Sequence, residues 1–168
     1  KHGRKPVSLQ NDASAAGLAE SLHGNGRGYQ RVFYMTIGSG IGGGRIVDGK
    51  IDEGQGLGAA EIGHTWVFNP DSGSPAELEQ ISSGWSIGNR AQLAALHQKT
   101  LMTKLATDPD RIDAKIVYAA AEAGDVLANR ILDETCEALG VAISNVIALL
   151  HPERVILGGG VSLMGPLF

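Results

Sequence analysis

Asp12 is the residue whose type and position most directly suggest chemistry, because it follows Asn11 at the start of a predicted helix. A carboxylate there can accept the proton of a substrate hydroxyl during phosphoryl transfer. The amide of Asn11 can donate a hydrogen bond to a polyol or accept one from it. The structural alternative is a helix cap that contributes about 1 kcal/mol, and for an aspartate at a helix start the pattern alone favours this alternative.

A second group of polar residues lies in the segment Glu61-Ile62-Gly63-His64, and Glu79 follows it along the chain. A carboxylate and an imidazole together suit hydrogen bonding to vicinal hydroxyls. The alternative is a turn that carries an exposed glutamate and a packed histidine. The segment is not the zinc-protease motif, because that motif needs a second histidine about four residues away on a helix.

Glycine accounts for 24 of the 168 residues, against a usual share of about 7%. Much of the excess lies in residues 38–44 and 158–160. We predict that the run 38–44 is a turn after a strand, in which Gly38, Ser39 and Gly40 expose backbone N–H groups. Such groups can form a nest for phosphate oxygens. A tight turn without a ligand stays open as the alternative.

Two phosphate-binding motifs match the same region, and we reject both. Residues 38–43 satisfy the dinucleotide fingerprint G-x-G-x-x-G, and residues 44–50 resemble a P-loop. Both motifs require a helix directly after the glycines, with its N-terminus facing the phosphate. The chain continues instead as a strand with a hairpin turn at Asp48-Gly49. Ile51 stands where the P-loop has its magnesium-binding hydroxyl.

Alternating strands and helices must position these candidate residues. The pattern predicts strands at 7–9, 31–36, 45–47 with a return from 50, and 154–157. It predicts helices at 13–22, 76–97, 111–123 and 125–150, with residues 69–75 irregular. The apolar stripe of the last helix comprises Ile131, Leu132, Leu139, Ala142, Ile143, Val146, Ile147 and Leu150. The order predicts an α/β fold with ligands at the carboxyl ends of strands.

Composition excludes several classes of protein. The net charge is −4 and the hydrophobic fraction 43%, which disfavours disorder and binding to a nucleic-acid backbone. No apolar stretch is long enough for a membrane span. The single cysteine, Cys136, fits a reducing compartment and a small core residue rather than a nucleophile. We therefore expect a cytoplasmic protein without a membrane partner.

Taken in order, the motifs resemble the ROK family of sugar kinases and sugar-responsive repressors, within the actin-like ATPase (ribonuclease H-like) superfamily. The resemblance covers essentially residues 1–168. The residues that carry it are Asn11–Ala13, Thr36–Gly44, Asp48–Lys50, Ala60–His64, Leu78–Gln80, Ser83-Gly84 and Val155–Val161.

The resemblance implies a role for each candidate residue. Asp12 would be the general base that takes the proton from the hydroxymethyl group of a hexose or N-acetylhexosamine. The sugar hydroxyls would be held by Asn11, Glu61, His64 and Glu79. Phosphate would bind at Gly38, Ser39 and Gly40, although the family usually has threonine at position 39. The adenosine side would be Gly158, Gly159 and Gly160. ATP with Mg²⁺ is the implied cofactor, and no magnesium ligand is predicted here.

One departure concerns zinc. Many relatives carry a Cys-x-Cys-Gly-x-x-Gly-Cys site after the histidine that corresponds to His64, which is the fourth ligand. Aligned on Leu78-Glu79, this chain has Pro70, Ser72 and Glu77 at the three cysteine positions. Proline and serine do not supply the thiolates that a structural zinc site uses. We therefore predict no zinc, and expect the loop 69–77 to be ordered by packing or to be mobile.

A second departure concerns the phosphate motif Asp-x-Gly-Gly-Thr, which begins family members and has no match here. We expect residues 1–168 to be the C-terminal lobe of a two-lobe protein, truncated at both ends and inactive alone. The parent would be a glucokinase-like kinase that binds a sugar and ATP. The alternative is the sugar-binding lobe of a repressor, with DNA as a partner only if an upstream helix-turn-helix exists. Dimers are usual in the family, so a homodimer is one possible assembly, and the sequence leaves both the sugar and the oligomeric state open.

Overall fold

The computed structural model describes residues 9–56 and 59–168, and it consists of strands and helices in mixed order. The strands are β1 (Arg31–Ile37), β2 (Ile41–Val47), β3 (Lys50–Ile51), β4 (Trp66–Asn69), β5 (Ser74–Glu77) and β6 (Arg154–Gly158). The α-helices are α1 (Asp12–His23), α2 (Leu78–Ser82), α3 (Gly84–Ala95), α4 (Met102–Ala106), α5 (Ala114–Glu122) and α6 (Val126–Leu150). Short 3₁₀ turns cover Ile62–His64 and Pro109–Arg111.

The main sheet has the strand order β3-β2-β1-β6. β1 is antiparallel to β2 and parallel to β6, with Thr36 opposite Gly158. The carboxyl ends of β1 and β6 therefore meet at one edge of the sheet, where both glycine runs begin. The predicted hairpin turn is confirmed, since Asp48 and Gly49 both have positive φ angles, of 51° and 71°, as turns that match the strand twist require.

Alternate residues of β1 face two separate cores, as expected for a strand covered on both sides. Val32 and Tyr34 point to the smaller core, against which Ala16 of α1 packs. Phe33 and Met35 point to the larger core, which the other helices form. The central strand is therefore held from both faces, and its carboxyl end has a fixed position.

The long helix α6 confirms the prediction for residues 125–150. Its N-cap is Asp125, whose side chain accepts a hydrogen bond of 2.9 Å from the N–H of Ala128. Most of the predicted stripe is buried, but Ile147 is 49% exposed. Cys136 is half-buried in this helix, and burial, with a smaller effect of Asp133, raises the pKa of its thiol. An inert packing role for the thiol agrees with that shift.

The prediction that residues 38–44 are all turn was wrong. Gly42, Gly43 and Gly44 belong to β2 and pair with β1. A Cβ on Gly44 would lie 3.0 Å from Cα of Ser14 in α1. These glycines therefore let neighbouring backbone lie directly on the strand, and only residues 38–40 form the turn.

The helix predicted for residues 76–97 was also wrong in part. Ala76 and Glu77 belong to β5, and the rest is divided into α2 and α3 at Ser83, which is extended with ψ 159°. The hydroxyl of Ser83 caps α3 by accepting a hydrogen bond of 3.2 Å from the N–H of Ser86. Serine is a good helix cap and a poor interior residue of a helix, so Ser83 can end one helix and begin the next.

Smaller differences concern the other predicted elements. α5 begins at Ala114 rather than at residue 111, because Asp113 caps it through the N–H of Ile116 at 2.9 Å. The hairpin of β4 and β5 and the helix α4 were missed. The strand predicted at 7–9 falls mainly outside the described residues, and Leu9 is not in a strand.

Within residues 9–56 and 59–168, none of the helices combines the length and apolarity needed to cross a bilayer.

Candidate functional site

A polar cleft of about 360 Å³ opens where β1 ends. Four parts of the fold meet there: the start of α1, the turn between β1 and β2, the segment that ends in the 3₁₀ turn Ile62–His64, and α2. The lining residues are Asn11, Asp12, Thr36, Gly38, Ser39, Gly40, Ile41, Gly42, Glu61, His64 and Glu79. The structure thus brings together every predicted sugar-binding residue, the predicted base and the predicted phosphate turn at Gly38–Gly40.

The sequence left open whether Asp12 is a helix cap or a proton acceptor, and the structure gives the capping role to its neighbour Asn11. Asn11 is the N-cap of α1, and its Oδ1 accepts a hydrogen bond of 3.1 Å from the N–H of Ser14. Asp12 is the first helical residue, and its Oδ1 accepts one of 2.8 Å from the N–H of Ala13. Because Asn11 does the capping, the other carboxylate oxygen of Asp12 is available to a ligand in the cleft.

Glu79 connects α2 to the glycine turn. Its Oε2 accepts a hydrogen bond of 2.7 Å from the N–H of Ile41. The turn is closed by a bond of 2.9 Å from the N–H of Gly38 to the carbonyl of Gly40, and the N–H of Gly84 donates to the carbonyl of Gly38 at 2.7 Å. The predicted phosphate turn is therefore held at both sides by the segment that contains Glu79.

The segment from Glu61 to His64 lies directly against β2. A Cβ on Gly63 would lie 2.2 Å from the carbonyl oxygen of Ile41, and one on Gly43 would lie 2.2 Å from that of Ala60. Contacts that short do not occur, so both positions require glycine. Ile62 is buried beneath the segment, which leaves Glu61 and His64 on the side of the cleft.

His64 is oriented by a carboxylate from the β4–β5 hairpin. Its Nδ1 lies 3.0 Å from Oε2 of Glu77, so the nitrogen left for a ligand is Nε2. The hydrogen bond to Glu77 and the charge of Glu77 raise the pKa of His64, and Glu61 and Glu79 add smaller effects in the same direction. The imidazolium form is therefore favoured by all three carboxylates around it.

The cleft is rich in hydrogen-bond acceptors and poor in fixed positive charge. Asp12, Glu61 and Glu79 contribute carboxylates, and among the described lining residues there is no lysine or arginine. Such a lining suits a neutral ligand with many hydroxyl groups, since each carboxylate oxygen can accept from them. A phosphate here would depend on the backbone N–H groups of the turn.

The second glycine run lies beside the cleft and does not line it. Gly158 is opposite Thr36 on β1, and the N–H of Val161 donates to the carbonyl of Ile37 at 2.9 Å. Gly159 has a φ of +88°, and a Cβ there would lie 2.4 Å from the carbonyl oxygen of Ile37. Close packing onto β1 already accounts for that glycine, whereas a Cβ on Gly160 would meet open space. An adenosine-binding role for residues 158–160 stays a prediction.

The residues aligned with the zinc ligands of the family do not fit a structural zinc ion, because proline and serine supply no thiolate. Among residues 9–56 and 59–168, no three His, Cys, Asp or Glu side chains are grouped so that they could hold one. At the positions where zinc relatives have cysteine, the hydroxyl of Ser72 is bonded to that of Ser74 at 2.7 Å, and Glu77 is bonded to His64.

Two contributors to the site were missed at the sequence level. Ile41 acts through its backbone N–H, which carries no residue-type signal. Glu77 was noted only as a departure from a cysteine, although its carboxylate holds the imidazole of His64. The alignment of Glu77 with a ligand position was a signal that could have predicted this pairing.

Comparisons with known proteins show which proteins this chain resembles. The sequence profile of the ROK family matches residues 1–168. The chain is 38% identical over 180 residues to a glucokinase of Thermotoga maritima, which covers 99% of this chain and 56% of that protein. It is 37% identical over 169 residues to a glucokinase of Halalkalibacterium halodurans, which covers 95% of this chain and 50% of that protein. The chain thus spans about half the length of these relatives.

Solved structures support the same grouping. A ROK family glucokinase from Streptomyces griseus in complex with glucose and AMPPNP superposes with a TM-score of 0.82 and 34% identity, covering 96% of this chain and 55% of that one. A ROK family transcriptional regulator, homologous to the E. coli MLC protein, gives a TM-score of 0.74 and 27% identity, covering 91% of this chain and 39% of that one. These neighbours confirm the predicted α/β fold of actin-like ATPases.

Proposed function

The chain belongs to the ROK family, and from that premise we propose that the whole protein is an ATP-dependent sugar kinase. It phosphorylates the hydroxymethyl group of a hexose or an N-acetylhexosamine. The observation that carries the proposal is the position of Asp12 in the cleft beside Glu61, His64 and Glu79, with helix capping left to Asn11. The two glucokinase relatives support the same activity.

The proposed mechanism uses the cleft residues in three roles. Asn11, Glu61, His64 and Glu79 orient the sugar by hydrogen bonds to its ring hydroxyls. The hydroxymethyl oxygen attacks the terminal phosphorus of ATP, its proton passes to the carboxylate of Asp12, and the bond from that phosphorus to the bridging oxygen breaks to release ADP. Backbone N–H groups of the turn at Gly38–Gly40 stabilise the charge on the transferred group. Positioning and electrostatics of this kind are the main sources of catalysis in phosphoryl transfer.

We propose that this chain corresponds to the C-terminal lobe and supplies one wall of the catalytic cleft. The cleft is open, and its described lining lacks the positive charge that usually neutralises a triphosphate. Phosphate contacts from an N-terminal lobe would complete it. The activity is therefore proposed for the whole protein, with the sugar and ATP as its small-molecule partners and a homodimer as its assembly.

A second candidate function is that of a sugar-responsive repressor, which the resemblance to a ROK transcriptional regulator supports. The same cleft would then bind a sugar without phosphorylating it, and DNA would be bound by a helix-turn-helix outside this chain. The carboxylate of Asp12 favours the kinase, because a sensor needs acceptors for hydroxyls but no base beside the hydroxymethyl group.

The test is a coupled ADP-release assay on the full-length protein with glucose, fructose, N-acetylglucosamine and N-acetylmannosamine. We expect ADP release with at least one of them, at a rate well above the release without sugar. Calorimetric titration of the same sugars without ATP measures binding separately. Sugar binding without any ADP release would contradict the kinase and support the repressor.

A further inference from the structure

The β4–β5 hairpin contains the positions at which the family resemblance implies zinc ligands, but its residues have a different arrangement. We propose that Glu77 takes the place of the metal ion as the partner of His64, so that a carboxylate rather than zinc positions the imidazole for the sugar. The sugar-binding part of this inference rests on the proposed function. Glu77 is a positioning residue here, since it acts on the ligand only through His64.

The register of the hairpin brings Glu77 to His64. Trp66 is opposite Glu77 in the antiparallel pair, and His64 lies two residues before Trp66. The N–H of Leu78 donates to the carbonyl of Thr65 at 2.8 Å, which extends the pairing beyond Glu77. The 3.0 Å distance from Nδ1 to Oε2 is therefore set by backbone pairing on both sides of the contact.

The rest of the hairpin is held by hydrogen bonds and ion pairs among the described residues. At its tip, the N–H of Gly73 donates to the carbonyl of Asn69 at 2.9 Å, and Oδ1 of Asn69 accepts from the N–H of Asp71 at 2.9 Å. Asp71 is bonded in turn to Nε of Arg90 at 2.6 Å. The guanidinium of Arg90, whose side chain is only 9% exposed, also bonds Glu134 of α6. Hydrogen bonds and this ion-pair network thus connect the tip of the hairpin to α3 and α6.

The partner at Nδ1 determines which imidazole nitrogen carries the proton. A carboxylate only accepts hydrogen bonds, so Nδ1 of His64 must carry a proton in contact with Glu77. The hydrogen bond made by one ring nitrogen sets the tautomer at the other. In the neutral ring, Nε2 then has a free lone pair that can accept from a sugar hydroxyl, whereas in the imidazolium form, which Glu77 also favours, Nε2 donates to one and Nδ1 still donates to Glu77. A metal ion on one nitrogen would instead leave the other as a donor.

The first test reads the tautomer directly and needs no activity. The ¹⁵N NMR signals of His64, assigned with His64→Gln, are recorded over a pH series, and the tautomer is read on the alkaline side of the titration that the same signals show. We expect a proton on Nδ1 in the wild type and a shift towards the Nε2–H form in Glu77→Ala. Glu77→Gln keeps the size of the side chain and should give an intermediate shift of the tautomer. It replaces Glu77→Ala as the test if that variant does not fold. Glu137→Ala, an exposed glutamate on α6, should leave the signals unchanged.

The second test measures metal content. Protein expressed with added zinc and then dialysed should contain far less than one zinc per chain, and EDTA should not change the His64 signals.

The third test measures kinetics. In the full-length kinase, Glu77→Ala should raise the KM for sugar about tenfold while the KM for ATP and kcat change little. Glu77→Gln should restore part of the loss.

The outcomes separate the two proposals. An Nε2–H tautomer in the wild type, an unchanged tautomer in Glu77→Ala, or about one zinc per chain would each overturn the role of Glu77. If the protein phosphorylates no sugar, the proposed function fails, and the NMR and zinc measurements still decide what holds His64.

Discussion

The N–H of Ile41 donates a hydrogen bond of 2.7 Å to Oε2 of Glu79, and this contact joins the two halves of the cleft. Glu79 belongs to the group of residues proposed to hold the sugar, whereas Ile41 directly follows the turn proposed to hold phosphate. A Cβ on Gly40 would lie only 2.5 Å from the same carboxylate oxygen. The position of Glu79 and the shape of the turn therefore depend on each other.

The first prediction concerns Glu79→Gln in the full-length protein. Because the amide is a weaker acceptor than the carboxylate, the turn loosens, and we expect a rise of about tenfold in KM for both the sugar and ATP. The measurement is steady-state kinetics with each substrate varied in turn. Glu61→Gln is the matched control, since Glu61 lines the cleft without a hydrogen bond to the turn, and it should raise the KM for sugar alone. A change confined to the sugar in Glu79→Gln would contradict the coupling.

The second prediction concerns the proposed base. Asp12→Ala removes the acceptor of the hydroxyl proton, so kcat should fall by about 10²–10⁴-fold while sugar affinity changes by only a few-fold. Single-turnover phosphorylation and calorimetric sugar binding measure the two quantities. Asp133→Ala, an exposed aspartate on α6, should leave both unchanged. If Asp12→Ala phosphorylates the sugar as fast as the wild type, Asp12 is not the base.

The third prediction concerns the contact between the 3₁₀ turn and β2. In Gly63→Ala the new methyl group would lie 2.2 Å from the carbonyl oxygen of Ile41, so the backbone must move. We expect a loss of about 1–3 kcal/mol in the free energy of unfolding, measured by urea denaturation. Gly140→Ala is the matched control, because that position lies inside α6 and a Cβ there meets nothing within 4 Å. It should increase stability, by up to about 1 kcal/mol.

The fourth prediction concerns pH. Burial by itself would raise the pKa of Asp125, but hydrogen bonds from the N–H groups of Ala128 and Leu101 and from the hydroxyl of Thr100 outweigh it, and the pKa lies below its ordinary value. A carboxyl group whose pKa is lowered by folding stabilises the protein above its unfolded pKa of about 3.9. That stabilisation is lost as the pH falls through the lower, folded value.

Asp125→Asn should therefore lose about 1–2 kcal/mol near neutral pH and show a flatter dependence of stability on pH below about pH 4. Urea denaturation at a series of pH values measures both effects. Asp113→Asn tests a simpler cap, since Asp113 is exposed and caps α5 through Ile116; it should lose less stability. The prediction would be contradicted if the free energy of unfolding of Asp125→Asn and of the wild type fell with the same slope as the pH is lowered below about 4.

Local signals in the sequence predicted the elements that depend on neighbouring residues. The helix α1 begins where Asn11 and Asp12 indicated, the turn at Asp48-Gly49 is present, and α6 spans almost its predicted range. Capping side chains and turn residues act over three or four positions, so their effect can be read along the chain.

The errors occurred where distant backbone overrides local preference. Glycine in β2 indicates a turn when read locally, but Gly43 and Gly44 are there because the backbone of Ala60 and α1 lies against the strand. Ala76 and Glu77 follow a helical pattern and nevertheless pair with Val67 and Trp66 as a strand. Backbone pairing with a partner strand outweighs an intrinsic preference of a few tenths of a kcal/mol per residue, ~0.7 at most for ordinary residues.

The sequence by itself determined which chemical groups the site could use: the carboxylates and imidazole of Asp12, Glu61, His64 and Glu79, and a glycine turn. Only the tertiary structure decided how they are held. The contact of Glu79 with Ile41 spans 38 positions and that of His64 with Glu77 spans 13. Both depend on strand register and on backbone atoms, and a backbone N–H has no residue-type signature. The residue types determine which chemical groups are available, whereas the orientation of the side chains is determined only when separate segments pack against each other.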